Sequence, residues 1–155
     1  MKMSKRGFIS ALVLMSSVAV FGCNKATSTA SNEMTGPAHK VAIQISSGDA
    51  LTQKIALNNA VNLQKAMGMD NVEIEIVAYG PGLSVLTQNP KNEEAARVKS
   101  LAQQNITFSA CANTMKAIEK KTGHKPVLVD GVKVVPGGVV RLMELQEQGY
   151  SYIRP

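Results

Sequence analysis

One residue in this chain stands out as a candidate for covalent chemistry: Cys111, in the run Asn105–Gly123, NITFSACANTMKAIEKKTG. Ile106, Thr107 and Phe108 read as a short strand. Ala112–Lys121 reads as a helix, with Lys120 and Lys121 in its last turn and Gly123 just past its end. A cysteine where a strand hands over to a helix meets free backbone N–H groups and the positive end of the helix dipole, and both favour thiolate over thiol. Asn113 and Thr114 follow closely and can cap the helix or hydrogen-bond a group carried on the sulfur. A cysteine is also a small hydrophobe that fills cores, and the residues leave both readings of Cys111 open.

The other constellations are weaker. Gly80-Pro81-Gly82 can hold an anion on backbone N–H groups, or be a plain turn. It lacks the spacing of a dinucleotide fingerprint or a Walker loop, so no nucleotide is expected. Pro136-Gly137-Gly138 invites the plain-turn reading as well. A metal centre needs several ligands at workable spacing, and the two histidines, His39 and His124, stand far apart in exposed-looking loops; no metal and no cofactor are expected. The helix Ala112–Lys121, roughly 15 Å at ~1.5 Å per residue, separates His124 from Cys111, which argues against a Cys-His hydrolase. Met67, Met69, Met115 and Met143 show no M-x-x-M run and are expected to pack in the core or against helices.

The first residues describe an export leader. Lys2, Lys5 and Arg6 precede an apolar run, Phe8–Val20, too short to span a bilayer comfortably, and Gly22-Cys23 ends it. This is the pattern of a bacterial lipoprotein signal, with residues 1–22 removed and Cys23 lipidated; several acyl chains on one residue would anchor the protein firmly. Asn24 after the cysteine leans towards the outer membrane, with the protein facing the periplasm. Residues 23–39 read as the lipidated cysteine and a Ser/Thr/Ala/Asn-rich tether, and residues 40–155 as one folding unit able to bury its own core. The whole chain carries +6; without Lys2, Lys5 and Arg6 it keeps 14 basic and 11 acidic residues, a net +3. With no tryptophan and no aromatic residues interleaved in a basic stripe, a nucleic-acid role is rejected. With Cys23 lipidated, Cys111 is the only thiol left. An intramolecular disulfide and a C-x-x-C cycle are then excluded.

The folding unit alternates strands with helices. Strands are expected at 40–45, 72–79, 106–108 and 132–135, with a last one at 150–154. Helices are expected at about 50–67, from Asn89-Pro90 to about Gln104, at 112–121 and at about 139–148, with a short one starting at 83–86 and an extended piece at 125–129. Glu73 and Glu75 alternate with Val72, Ile74 and Ile76, giving that strand a wet side. The alternation predicts an α/β fold, a mainly parallel central sheet with helices on both faces. Ligands of such sheets bind beyond the carboxyl ends of the strands, where Ser46–Asp49, Gly80–Gly82 and Ala110–Thr114 all fall.

A first strand ending in Ser-Ser-Gly-Asp, then VAYGPGLSVL, then FSACANTM, then VVPGGVVRLMELQEQGYSYIRP, in this order, resembles the DsrE/DsrF-like family in its single-domain branch with an exported leader. The resemblance covers 40–155. It implies a compact flavodoxin-like α/β layering and assembly as a homo- or hetero-oligomer. In sulfur-relay members a cysteine after the third main strand receives sulfur as a persulfide and passes it on; Cys111 matches that position. The expectation is a membrane-tethered sulfur or thiol carrier of the cell envelope, forming a homo-oligomer and exchanging sulfur with a donor and an acceptor. Cys111 would react, and Asn113, Thr114 and the Gly80-Pro81-Gly82 wall would line the site. With no general acid and no second thiol evident, a carrier is expected over a turnover enzyme. The alternative is a non-catalytic oligomeric binding or scaffolding module in which Cys111 is structural.

Overall fold

The structure, a computed structural model, describes residues 37–155. The expected leader, Cys23 and most of the tether lie outside the described residues. Five strands form one sheet: β1 (His39–Ile45), β2 (Val72–Ala78), β3 (Ile106–Cys111), β4 (Val132–Val135) and β5 (Ser151–Ile153). Every pairing is parallel, and the order is β4-β3-β2-β1-β5. Four helices connect them: α1 (Ala50–Met67), α2 (Ala95–Ala102), α3 (Ala112–Thr122) and α4 (Gly138–Glu147), with a 3-10 segment at Gly80–Leu86. The α/β architecture with helices on both faces agrees with the expectation.

The chain steps from β1 to β4 in one direction, so α1, α2 and α3 share one face. Alternate residues Val41, Ile43, Ile45, Ile74, Ile76 and Phe108 meet them there in the main core. The return from β4 to β5 crosses the sheet in the opposite sense, which puts α4 on the other face. There Leu142, Leu145 and Tyr150 pack on Ala42 and Val77. Asp49 starts α1 by accepting the Thr52 N–H at 2.7 Å and its hydroxyl at 2.8 Å.

Several local expectations shift for physical reasons. The helix expected from Asn89-Pro90 begins only at Ala95. Asn92 holds the intervening turns in place: its side-chain amide donates to Val85 O and Thr87 O, and its Oδ1 accepts from Glu94 N. A side chain that satisfies loop carbonyls offers the backbone an alternative to the helix ladder. Residues 125–129 make one antiparallel bridge, Thr87 with Leu128. The inner stripe of α1 includes Gln53 and Gln64, while Met67 is exposed; Gln53 donates to Ser47 O and Ser84 Oγ, and Gln64 to Gln104 O. Of the four methionines expected in packing, Met115 is buried, and Met67, Met69 and Met143 are exposed. Glu75 does not face water: it lies under α4 at 4% exposure, for the reason given below. Among the described residues no helix is long and apolar enough to cross a membrane.

Gly82 locks the 3-10 segment onto the end of β1. A Cβ there would meet Ile45 O at 2.2 Å and Ile45 C at 2.6 Å, both backbone atoms that cannot swing away. Gly82→Ala is expected to destabilise the fold at the top of the ~1–3 kcal/mol range for overpacking or beyond it. A fall in the urea midpoint with an unchanged slope would register this.

Candidate functional site

The strand order creates a crevice at one place. β3 and β4 are neighbours, yet the helix after β3 goes to one face and the helix after β4 to the other. Where neighbouring connections part in this way, an open parallel sheet leaves a gap at the carboxyl ends of its strands. Cys111 is the last residue of β3, paired in register with Val135 of β4, and also the residue from which α3 starts, with φ −72° and ψ 115°. Its extended backbone finishes the strand and leaves the first N–H groups of α3 without helical partners. The side chain is 5% exposed and forms no disulfide.

Two helix N-termini converge on Sγ. Burial pushes the thiol pKa up. The Thr114 hydroxyl and the N–H groups of Thr114, Gly138 and Asn113 more than reverse this, and the thiol is held below its ordinary value. Sγ makes no capping hydrogen bond; the donors act on it as the neighbouring ends of two helices. Thr114 is itself oriented, because its Oγ1 accepts the Gly80 N–H at 2.9 Å and keeps its own hydrogen for the sulfur. Gly138 must lack a side chain, since a Cβ there would sit 2.8 Å from Tyr79 Cβ and Cδ1. That freedom lets the first turn of α4 come down beside β2 and β3. Asn113 reaches across the crevice, its Nδ2 being 3.7 Å from where a Gly137 Cβ would stand.

An ion pair between a buried carboxylate and a half-buried guanidinium fixes α4 in this position. Arg141 lies one turn beyond Gly138 and grips Glu75 of β2 with both arms, Nε to Oε1 at 2.8 Å and an amino nitrogen to Oε2 at 2.7 Å. Ser109 of β3 donates to the same Oε1 at 2.7 Å. Burial raises the Glu75 pKa. The Arg141 and Ser109 hydrogen bonds, with the charges of Arg141 and Lys133, outweigh it and hold the carboxyl below the usual range. The other amino nitrogen of Arg141 donates to Glu144 at 3.2 Å.

Comparison with known proteins agrees with this fold. The DsrE/DsrF-like family matches residues 39–155. The chain belongs to that family. A protein of unknown function, MTH1491 from Methanobacterium thermoautotrophicum, is 32% identical, with a TM-score of 0.67, over 76% of this chain and 99% of that one. The ychN protein from E. coli shares the fold at 16% identity, with a TM-score of 0.59, over 76% of this chain and 99% of its own. None of the curated proteins matches.

Within this DsrE/DsrF-like chain the structure brings Cys111, Asn113, Thr114 and Gly80 together. Pro81 is exposed at the rim of the neighbouring groove. Gly82 is buried, and its N–H already bonds Tyr79 O at 3.1 Å and Ser46 O at 3.3 Å, so the Gly80-Pro81-Gly82 turn keeps no free donor for an anion. His124 is exposed, with Nδ1 3.0 Å from Thr122 O. Among the described residues no cluster of three or more potential metal ligands occurs. Gly137, Gly138, Tyr79 and the Glu75–Arg141 pair escaped the sequence reading. Only the Pro-Gly-Gly run before a helix signalled any of them.

Thr114→Val and Gly138→Ala should each slow alkylation of Cys111 at pH 7 by roughly tenfold, about 1.5 kcal/mol for a hydrogen bond to a charged group. The pH dependence of iodoacetamide labelling, followed by intact mass, measures this. Arg141→Met strands a buried carboxylate and should cost towards the lower end of about 3–5 kcal/mol, because Arg141 is itself a quarter exposed. Since the Glu75 pKa is lowered on folding, the pair stabilises the fold above the ordinary carboxylate range and loses that effect as pH falls through the lowered value. Acid unfolding of Arg141→Met should therefore depend less steeply on pH there than that of the parent.

Proposed function

We propose that this protein is a carrier of sulfane sulfur, with Cys111 as the residue that takes up and hands on the sulfur atom. The observation that carries the reading is the position of Cys111, at the end of β3 and the start of α3, in register with Val135 and beside the first turn of α4, with its thiol held below the ordinary value. The thiolate attacks the terminal sulfur of a persulfide R–S–SH. A bond forms between Sγ and that sulfur, the donor S–S bond breaks, and its electron pair leaves with R–S⁻. The product is Cys111–S–SH, and no external oxidant is needed. The same donors then hold the negative charge of the bound persulfide. Transfer to an acceptor repeats the displacement in the opposite direction. The leader pattern supports tethering at the cell envelope through Cys23, facing the periplasm, and the family resemblance supports a homo-oligomer.

A second reading rests on the near-complete burial of Cys111: an oligomeric scaffold in which the thiol only fills space. Treating the protein with inorganic polysulfide separates the two. The carrier gains one sulfur atom in mass, removable by cyanide or dithiothreitol, and Cys111→Ser gains none. If the parent gains no sulfur, labels only after unfolding, and Cys111→Ala assembles and binds as before, the carrier reading falls and the scaffold stands.

A further inference from the structure

A groove runs along α3, away from the thiol. It has a volume of about 690 Å3 and lies between that helix, the 3-10 segment and residues 124–127. Its floor is one helical stripe, Thr114, Ala117, Ile118 and Lys121, at the i, i+3, i+4, i+7 spacing of a single face. Lys125 joins Lys121 at the far end, and no acidic residue lines any part of the groove. Both lysines are exposed, and among the described residues neither takes part in an ion pair. The near end closes on Thr114 and Gly80. The Thr114 hydroxyl thus borders the groove on one side and faces Cys111 on the other.

Polarity therefore changes along the groove. Ala117, Ile118, Pro126 and Val127 give the groove apolar surface beside the neutral polar groups of Ser84, Thr87, Gln88 and Asn89. Lys121 and Lys125 give it positive charge, and Thr114 gives it a hydroxyl shared with the thiol. From Thr114 to Lys121 the helix rises roughly 10 Å, at ~1.5 Å per residue. A ligand that satisfies both ends carries an anionic group, an apolar body of about that length, and its reactive atom opposite the anion. A neutral ligand would leave both lysines unused, and a short anion could not reach Thr114 while paired with them.

We infer that this groove binds a low-molecular-mass organic anion, an aliphatic thiol acid whose carboxylate pairs with Lys121 and Lys125 and whose sulfur lies towards Thr114. The inference rests on the carrier reading for its biological sense, since such a thiol acid is the R–S portion of the donor persulfide. Binding itself does not depend on transfer, so the two are tested apart.

The test uses the full chain carrying Cys111→Ser, which removes the thiol beside the groove, and isothermal calorimetry with 8-mercaptooctanoate, its amide, and 3-mercaptopropionate. The expected result is saturable binding of 8-mercaptooctanoate, with the amide and the short acid each at least tenfold weaker. The double change Lys121→Gln, Lys125→Gln should also weaken it at least tenfold. Both lysines are exposed, so that variant is expected to fold, and an unchanged urea midpoint would verify it. Equal binding of acid and amide, no binding of either, or an unaffected double variant overturns the inference. Inorganic polysulfide needs no groove, so the double variant in the Cys111 background should still gain sulfur. If it does while the thiol acids fail to bind, the groove inference falls and the carrier stands. If the thiol acids bind as expected but polysulfide never loads Cys111, the groove stands and the carrier falls.

Discussion

The grip of Arg141 on Glu75 is the interaction from which the rest of the site follows. Burying a carboxylate among strands is unfavourable by several kcal/mol unless it is paired and its lone pairs are satisfied. Here two guanidinium hydrogens and the Ser109 hydroxyl meet that requirement. The geometry is restrictive as well as stabilising, because a two-armed contact fixes rotation as well as distance. Among the described residues α4 is the one helix on its face of the sheet, and its apolar contact there is small: Leu142 and Leu145 on Ala42 and Val77, with Tyr150 beside them. A helix held by so few hydrophobic contacts could settle at several angles. The ion pair selects one, and in that one the first N–H of α4 helps to hold the Cys111 thiol below its ordinary value.

The site then illustrates how a thiol is tuned without a base. Burial alone would keep Cys111 protonated and inert. The N-terminus of α3 acts on it by chain continuity, and the N-terminus of α4 by tertiary placement. Thr114 adds a hydroxyl whose direction is set by Gly80. Each contribution is modest, and they act on one atom in a region from which water is largely excluded, where such dipoles count for more. The thiol is shielded and still held below its ordinary value, because donors reach it from the starts of two helices, the buried Gly138 on one side and Asn113 and Thr114 on the other.

The sequence revealed much of this, and unevenly. Strand and helix order came from the alternation of apolar residues in 41–45 and 72–78 and from turn residues such as Asp49 and Gly123, all local signals. Cys111 was legible because a strand-to-helix junction is also local. Gly138 was not, because its relation to Cys111 depends on β4 lying beside β3 in the register Cys111 with Val135. Nothing within 132–138 encodes that pairing. Glu75 was misread as solvent-facing for the same reason: period-two alternation identifies a face, and only the β4-to-β5 crossover decides that the face is covered. The late start of α2 reflects competition that composition hides, since Asn89-Pro90 has good helix-start chemistry but the Asn92 side chain is committed to carbonyls of the preceding segment.

The position of β5 has a consequence for how the molecule assembles. β1 is an almost wholly buried strand, yet one of its two neighbours is the short β5, joined through Val41 with Ser151 to Ile43 with Ile153. Those partners lie almost the whole described length of the chain apart. Until the last residues are available, β1 presents an apolar strand with an open edge, the kind of surface that pairs with whatever strand it meets. Closing so distant a pairing is slow relative to local contacts. The four-stranded part β1–β4 can form before it, so the sheet is finished by its shortest strand acting as a latch.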